Sequence, residues 1–177
     1  MNATFAYFTA TAAKKEATST TGVVSIKFSN TKELVNSVET TSSTLLLPGD
    51  TLSLTGTVEN AGSAQVYVLL EFIVSVKKSD STTEETVLHE YYTFVSSTLT
   101  EITGTMGNYS INAGTIDATT NNTKSFSLSH KFDGATYDDT YQKAEVTYIL
   151  YGYAVQSANI SAADATDLLF EKTTSNT

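Results

Sequence analysis

Gln65-Val66-Tyr67-Val68-Leu69-Leu70-Glu71-Phe72-Ile73-Val74-Ser75-Val76-Lys77 is the stretch that decides the fold. At a period of two, Val66, Val68, Leu70, Phe72, Val74 and Val76 fall on one side, and Tyr67, Leu69 and Ile73 on the other. A strand apolar on both sides belongs at the centre of a sheet with each face covered, or carries one face that meets a partner. Upstream, Thr51 to Glu59 alternates cleanly: Leu52, Leu54 and Val58 oppose Ser53, Thr55 and Thr57. That is the pattern of a half-buried antiparallel strand, and Asn60-Ala61-Gly62-Ser63 is the turn between the two.

The same reading extends along the chain. Thr86 to Leu99 is a strand rich in β-branched and aromatic residues, joined to its predecessor by the polar loop Lys78 to Glu85. Gly22 to Ser29, Lys124 to Phe132 and Ala144 to Gln156 are further strands, with short ones around Asn108 to Ile111 and Leu45 to Leu47. Only the C-terminus speaks for a helix. Ser161-Ala162-Ala163-Asp164 has the spacing of a capping box, and Ala165, Leu168 and Leu169 follow as an apolar face. The expectation is all-β: one antiparallel β-sandwich of roughly seven to nine strands with a short C-terminal helix.

Composition narrows the function. The 177 residues carry a net charge of -9, all ten basic residues are lysine, and cysteine and tryptophan are absent. Without a basic patch the chain is not a nucleic-acid binder. Without cysteine it has no disulfide framework, thiolate metal site or cysteine nucleophile. The longest apolar run, Val66 to Val76, is broken by Glu71 and is too short for a membrane helix. Thr and Ser number 32 and 20. They alternate with Val, Leu and Ile in the strands, which is the pattern of a wetted sheet face rather than a disordered linker.

Motifs for chemistry are sparse. His89 and His130 stand in separate strands, outside any His-Glu-x-x-His pattern. No Gly-x-Ser-x-Gly or phosphate-binding glycine loop occurs, so no catalytic residue and no cofactor is expected. Asp133, Asp138 and Asp139 offer hard oxygen ligands to Ca²⁺ but lack the EF-hand spacing, which makes a plain turn the simpler reading. Glu84-Glu85 reads as a solvated loop cluster. Asn-x-Ser/Thr occurs at Asn2, Asn108, Asn121 and Asn159, a weak glycosylation signal in a chain so rich in Ser and Thr.

The N-terminus carries more information. Thr4-Phe5-Ala6-Tyr7-Phe8-Thr9-Ala10-Thr11-Ala12 is strand-like and aromatic, and the polar run Lys14 to Thr21 separates it from the next strand. An exposed aromatic end segment is a liability unless it pairs. It either folds back as an edge strand of its own domain or adds to the sheet of a neighbour. The expected division is a donor segment over residues 1–13, a tether over 14–21 and the sandwich over 22–177. Met1 to Phe8 lacks a basic region and a long apolar centre, so either the protein is not secreted or its leader has been removed.

Phe5-Ala6-Tyr7-Phe8-Thr9, followed by Gly22-Val23-Val24-Ser25-Ile26, resembles the mature start of the camelysin and TasA-like proteins. Leu47-Pro48-Gly49-Asp50-Thr51, Val58 to Ser63 and Tyr153 to Asn159 are similar to later signatures of that family, in the same order. The resemblance implies a jelly-roll-like sandwich exported through a dedicated signal peptidase. It also implies an extracellular or cell-surface fibre in which Thr4, Phe5, Ala6, Tyr7, Phe8, Thr9 and Ala10 of one subunit fill a groove in the next. The partners would be copies of the chain in a linear homopolymer, with an accessory matrix or anchor protein. Some members of the family are described as metalloproteases, and two isolated histidines give no support for carrying that over.

Two other readings compete. A monomeric adhesin or carbohydrate-binding module would use Tyr91, Tyr92, Tyr109, Tyr148, Tyr151 and Tyr153 as stacking surfaces, although most of them lie inside strands where packing is the simpler role. A jelly-roll shell protein is the third.

Overall fold

The computed structural model describes residues 10–15, 18–19, 24–40, 46–78, 81–82, 85–138, 141 and 144–173, with only the backbone course for 10–15, 18–19 and 85–87. In chain order the strands are β1 (Ala10–Lys15), β2 (Thr18–Ser19), β3 (Val24–Val35), β4 (Val38–Glu39), β5 (Thr51–Asn60), β6 (Val66–Lys77) and β7 (Glu85–Val95). They continue as β8 (Thr98–Glu101), β9 (Gly104–Thr105), β10 (Asn108–Tyr109), β11 (Gly114–Ile116), β12 (Thr123–Lys131) and β13 (Glu145–Gln156), and α1 (Ala162–Phe170) ends the series. One sheet runs β1-β13-β6-β7-β8, with β11 also on β6. The other runs β12-β5-β3-β2, with β4 on β3.

The fold is an all-β sandwich with one short C-terminal helix. Thirteen strands are described where seven to nine were expected, because several are two- or three-residue pairings too short to leave a periodic signature. Almost every pairing is antiparallel; β1 runs parallel to β13.

β6 occupies the central place that its two apolar faces demand. Its even-numbered residues, with Val146, Tyr148 and Leu150 of β13, meet Ile26, Leu54, Val58, Phe126 and Leu128 of the opposite sheet. The outer face is covered at one end, where Leu69, Tyr153 and Val155 lie under Ala165 and Leu169 of α1. The helix starts where its cap requires: Ser161 Oγ accepts from Asp164 N at 3.1 Å and donates to Asp164 Oδ2 at 2.6 Å.

Three expected strand limits change. The strand from Gly22 to Ser29 runs on to Val35, because a bulge between Ser29 and Lys32, with Asn30 at φ 51, absorbs what reads as a turn. The strand from Thr86 to Leu99 breaks at Ser96 (φ 59) and Ser97 into β7 and β8. No strand forms at Leu46 and Leu47, where the Asp50 carboxylate accepts from Leu47 N at 2.8 Å and fixes a turn; Leu45 lies outside the described residues.

The sheet forks at Thr93. β7 pairs with β6 as far as Tyr92 opposite Leu70, and β11 takes over at Gly114 opposite Val68. The fully buried Thr93 hydroxyl donates to Val68 O at 2.7 Å and accepts from Gly114 N at 2.7 Å, replacing the lost ladder bonds. A Cβ on Gly114 would stand 1.7 Å from Phe94 O, so only glycine fits there. Removing the hydroxyl in Thr93→Val leaves two buried main-chain groups unpaired and is expected to cost about 2–4 kcal/mol. Gly114→Ala should cost at least as much, whereas Tyr148→Phe, which removes a buried hydroxyl with no hydrogen-bond partner, should be neutral or slightly stabilising. Thermal and denaturant unfolding of the three variants measures this ranking.

Candidate functional site

β13 is the last strand among the described residues. On one side it pairs with β6 through all twelve residues from Glu145 to Gln156. On the other, β1 lies parallel to it, Ala10 opposite Val146 through Lys15 opposite Tyr151. Main-chain hydrogen bonds suffice to place such a strand. Two residues later the chain is in the other sheet, where Thr18 and Ser19 pair with Ser25 and Val24 of β3. The N-terminal region therefore runs along the side of the sandwich where β13 and β3 approach, first in one sheet and then in the other. The approach is close: a Cβ on Gly152 would be 2.7 Å from Ile26 Cδ1 and 2.8 Å from Phe28 Cζ.

Of the expected donor segment, residues 1–13, the backbone of Ala10 to Ala13 is described; Thr4, Phe5, Ala6, Tyr7, Phe8 and Thr9, with residues 1–3, lie outside the described residues. The expected boundary between donor segment and tether does not coincide with an element boundary. Ala10 to Ala13 and the tether's Lys14 and Lys15 form one strand on the chain's own β13, and Thr18 and Ser19 of the tether form β2. The edge of β13 away from β6 is thus taken by the chain's own N-terminal region.

The remaining expected sites fall apart from one another. Asp133 Oδ1 accepts from Ala135 N at 3.3 Å, and its carbonyl accepts from Thr136 N and Tyr137 N, so this aspartate holds a turn. Asp138 is exposed and Asp139 lies outside the described residues; no group of three metal-ligating side chains occurs among the described ones. Asn108, Asn121 and Asn159 are exposed, the last two at positive φ in turns. Tyr148 stacks on Phe72 in the core, whereas Tyr91, Tyr109, Tyr151 and Tyr153 belong to one packed cluster on the helix side, in which Tyr91 and Tyr109 meet Phe170.

Cross-strand register builds one polar cluster that sequence reading misses. Glu71 is fully buried on the outer face of β6; its Oε1 is 3.1 Å from His89 Nδ1 on β7, and its Oε2 accepts from Tyr153 OH at 2.8 Å on β13. A buried carboxylate requires such partners. The signal available in the sequence was the charge itself, which interrupts an otherwise apolar strand. Glu71 and His89 come from consecutive strands and Tyr153 from the far end of the chain, diagonal neighbours in the ladders Ile73–His89 and Leu69–Tyr153. The cluster ties together three neighbouring strands of one sheet, β7, β6 and β13.

Among the described residues no helix is long and apolar enough to cross a membrane. Comparison with protein-family models, curated proteins and solved structures gives no match.

His130 titrates under constraint. Its Nε2 lies 2.9 Å from Tyr137 OH, its ring meets Phe132 edge-on, and burial lowers its pKa from the ordinary 6.5. A lowered folded value means that the unfolded chain takes up the proton first. Stability from neutral His130 is therefore complete above about pH 6.5 and is lost as the pH falls from there through the folded value. His130→Gln should flatten the fall in denaturation midpoint between pH 7 and pH 5 relative to the unsubstituted chain; an unchanged slope would exclude this role.

Proposed function

We propose that this protein is the structural subunit of an extracellular or cell-surface filament that grows head to tail by exchange of its N-terminal strand. The observation that carries the reading is the position of β1, a strand bonded in parallel along the free edge of β13 and supplied by the opposite end of the chain. The ladder between β1 and β13 is the same whether the two strands belong to one molecule or to neighbours, so exchange conserves its hydrogen bonds. Glu16 and Ala17 alone separate β1 from β2 in the sequence, and short hinges of this kind favour exchange over closure on the same subunit.

In this reading Thr4 to Ala10, with the strand it leads into, leaves its own β13 and adds to that of the next subunit, seating Phe5, Tyr7 and Phe8. Each aromatic buried at a junction contributes roughly 1.5–3 kcal/mol, repeated along a chain that does not close. Export, the self-partner and an accessory anchor follow from the likeness to the camelysin and TasA-like proteins. The wetted Ser and Thr faces suit a long-lived exposed polymer, and no reaction is assigned to the protein.

Deleting Asn2 to Thr9 while leaving β1 in place should give a folded monomer with unchanged circular dichroism that no longer polymerises. Filaments of the deletion variant under the electron microscope, equal in number to those of the full chain, would refute the reading.

A further inference from the structure

β12 ends its sheet. It pairs with β5 through all nine residues from Thr123 to Lys131 without a bulge, and no described strand pairs with its other edge. Hydrogen bonds around β5 identify the main-chain groups at that free edge. Asn60 N donates to Asn122 O at 2.8 Å and Phe132 N to Asp50 O at 2.8 Å, whereas Asn36 N donates to Thr51 O at 2.8 Å. Even-numbered residues of β5 thus turn toward β12 and odd-numbered ones toward β3. The register pairs even with even, Leu52 with His130 through Val58 with Lys124. Antiparallel alternation then turns the N–H and C=O of Thr123, Ser125, Ser127, Ser129 and Lys131 away from β5, toward the edge that no described strand occupies, and those five side chains are exposed.

The other long edges are guarded, as natural sheets require. β1 covers β13. β2 and β4 cover the two ends of β3, with a bulge and the Lys32–Glu39 ion pair between them. β8 has four residues and ends on Glu101. From Ser125 to Ser129, β12 has neither charge nor bulge.

We propose that this edge docks a second copy of the chain, β12 against β12, antiparallel about a twofold axis at Ser127. Self-complementarity selects that partner. The axis sets Ser127 against Ser127, Ser125 against Ser129 and Thr123 against Lys131. Five residues in each copy, each with one free N–H and one free C=O, are satisfied together. Hydroxyl side chains are too small to obstruct the approach. Lys131 of one copy arrives beside Thr123 of the other, whose neighbour on β5 is Glu59, so opposite charges meet across the seam. On the core side Lys124 comes opposite His130. Each is engaged at home, Lys124 with Ser97 Oγ at 3.3 Å and His130 with Tyr137, and burial keeps the imidazole neutral.

The contact is isologous and closes on itself. It lies in the sheet opposite β13, so it links two head-to-tail filaments laterally without competing for the exchanged strand. It also stands without that reading.

The chain has no cysteine, so single cysteines report without background. In the full-length chain, Ser127→Cys should cross-link to itself with a short bis-maleimide. Ser125→Cys and Ser129→Cys should each fail alone and cross-link when mixed. Adding Ser127→Lys to both partners of that mixture should lower its yield at least tenfold while circular dichroism stays unchanged. Cross-linking of Ser127→Cys no greater than that of Thr55→Cys on β5 would overturn the proposal, as would equal yields from Ser125→Cys alone and from the mixture. The deletion of Asn2 to Thr9 abolishes only the head-to-tail contact, so the two assemblies are judged separately.

Discussion

The structure depends on the twelve-residue antiparallel ladder between β6 and β13. It puts the most apolar strand at the centre of one sheet and gives it a core on both sides. It also brings Leu69 and Val155 to the face on which α1 packs, and Val74 and Val146 to the face that meets β5 and β12. Apart from β1, β13 is then the edge of its sheet. An edge carrying the sheet's central partner has to be paired, and the chain pairs it with its own first strand.

That constraint ties the fold to the proposed assembly. β1 meets β13 through a main-chain ladder, and a ladder of that kind accepts an equivalent strand from another molecule. The same physics distinguishes the two edges considered. At β13 the occupant comes from the far end of the chain, so it can come from another molecule. At β12 no described strand covers the edge, and its Ser-rich row is its own complement.

Much of the architecture was legible because period-two alternation is a local property. Leu52, Leu54 and Val58 announced β5, the two-sided apolarity of Val66 to Val76 announced a covered central strand, and Ser161 with Asp164 announced the helix start. What was hidden depends on register, which period alone does not supply. The bulge at Asn30 resembles a turn, and Ser96 resembles a strand residue until its positive φ is known. The fork at Thr93 needs β11, three residues long, to arrive beside β6. Glu71, His89 and Tyr153 meet only because two ladders align, so the buried Glu71 read as an interruption rather than as the centre of a cluster. The β1 pairing was one of two readings of the N-terminal segment, and alternation in Ala10 to Lys15 could not say whose β13 it would meet.

The central claim is that the edge of β13 receives an N-terminal strand from another subunit in the assembled state. Co-assembling chains labelled only with ¹⁵N and chains labelled only with ¹³C, then recording ¹⁵N–¹³C transfer by solid-state magnetic resonance, tests it most directly. Transfer from the amides of Ala10 to Lys15 to the carbonyls of Val146 to Tyr151 arises in such a mixture only between molecules, and it is the predicted result. Assembled material without that transfer, in which the same contacts appear only in uniformly double-labelled chains, would contradict the account.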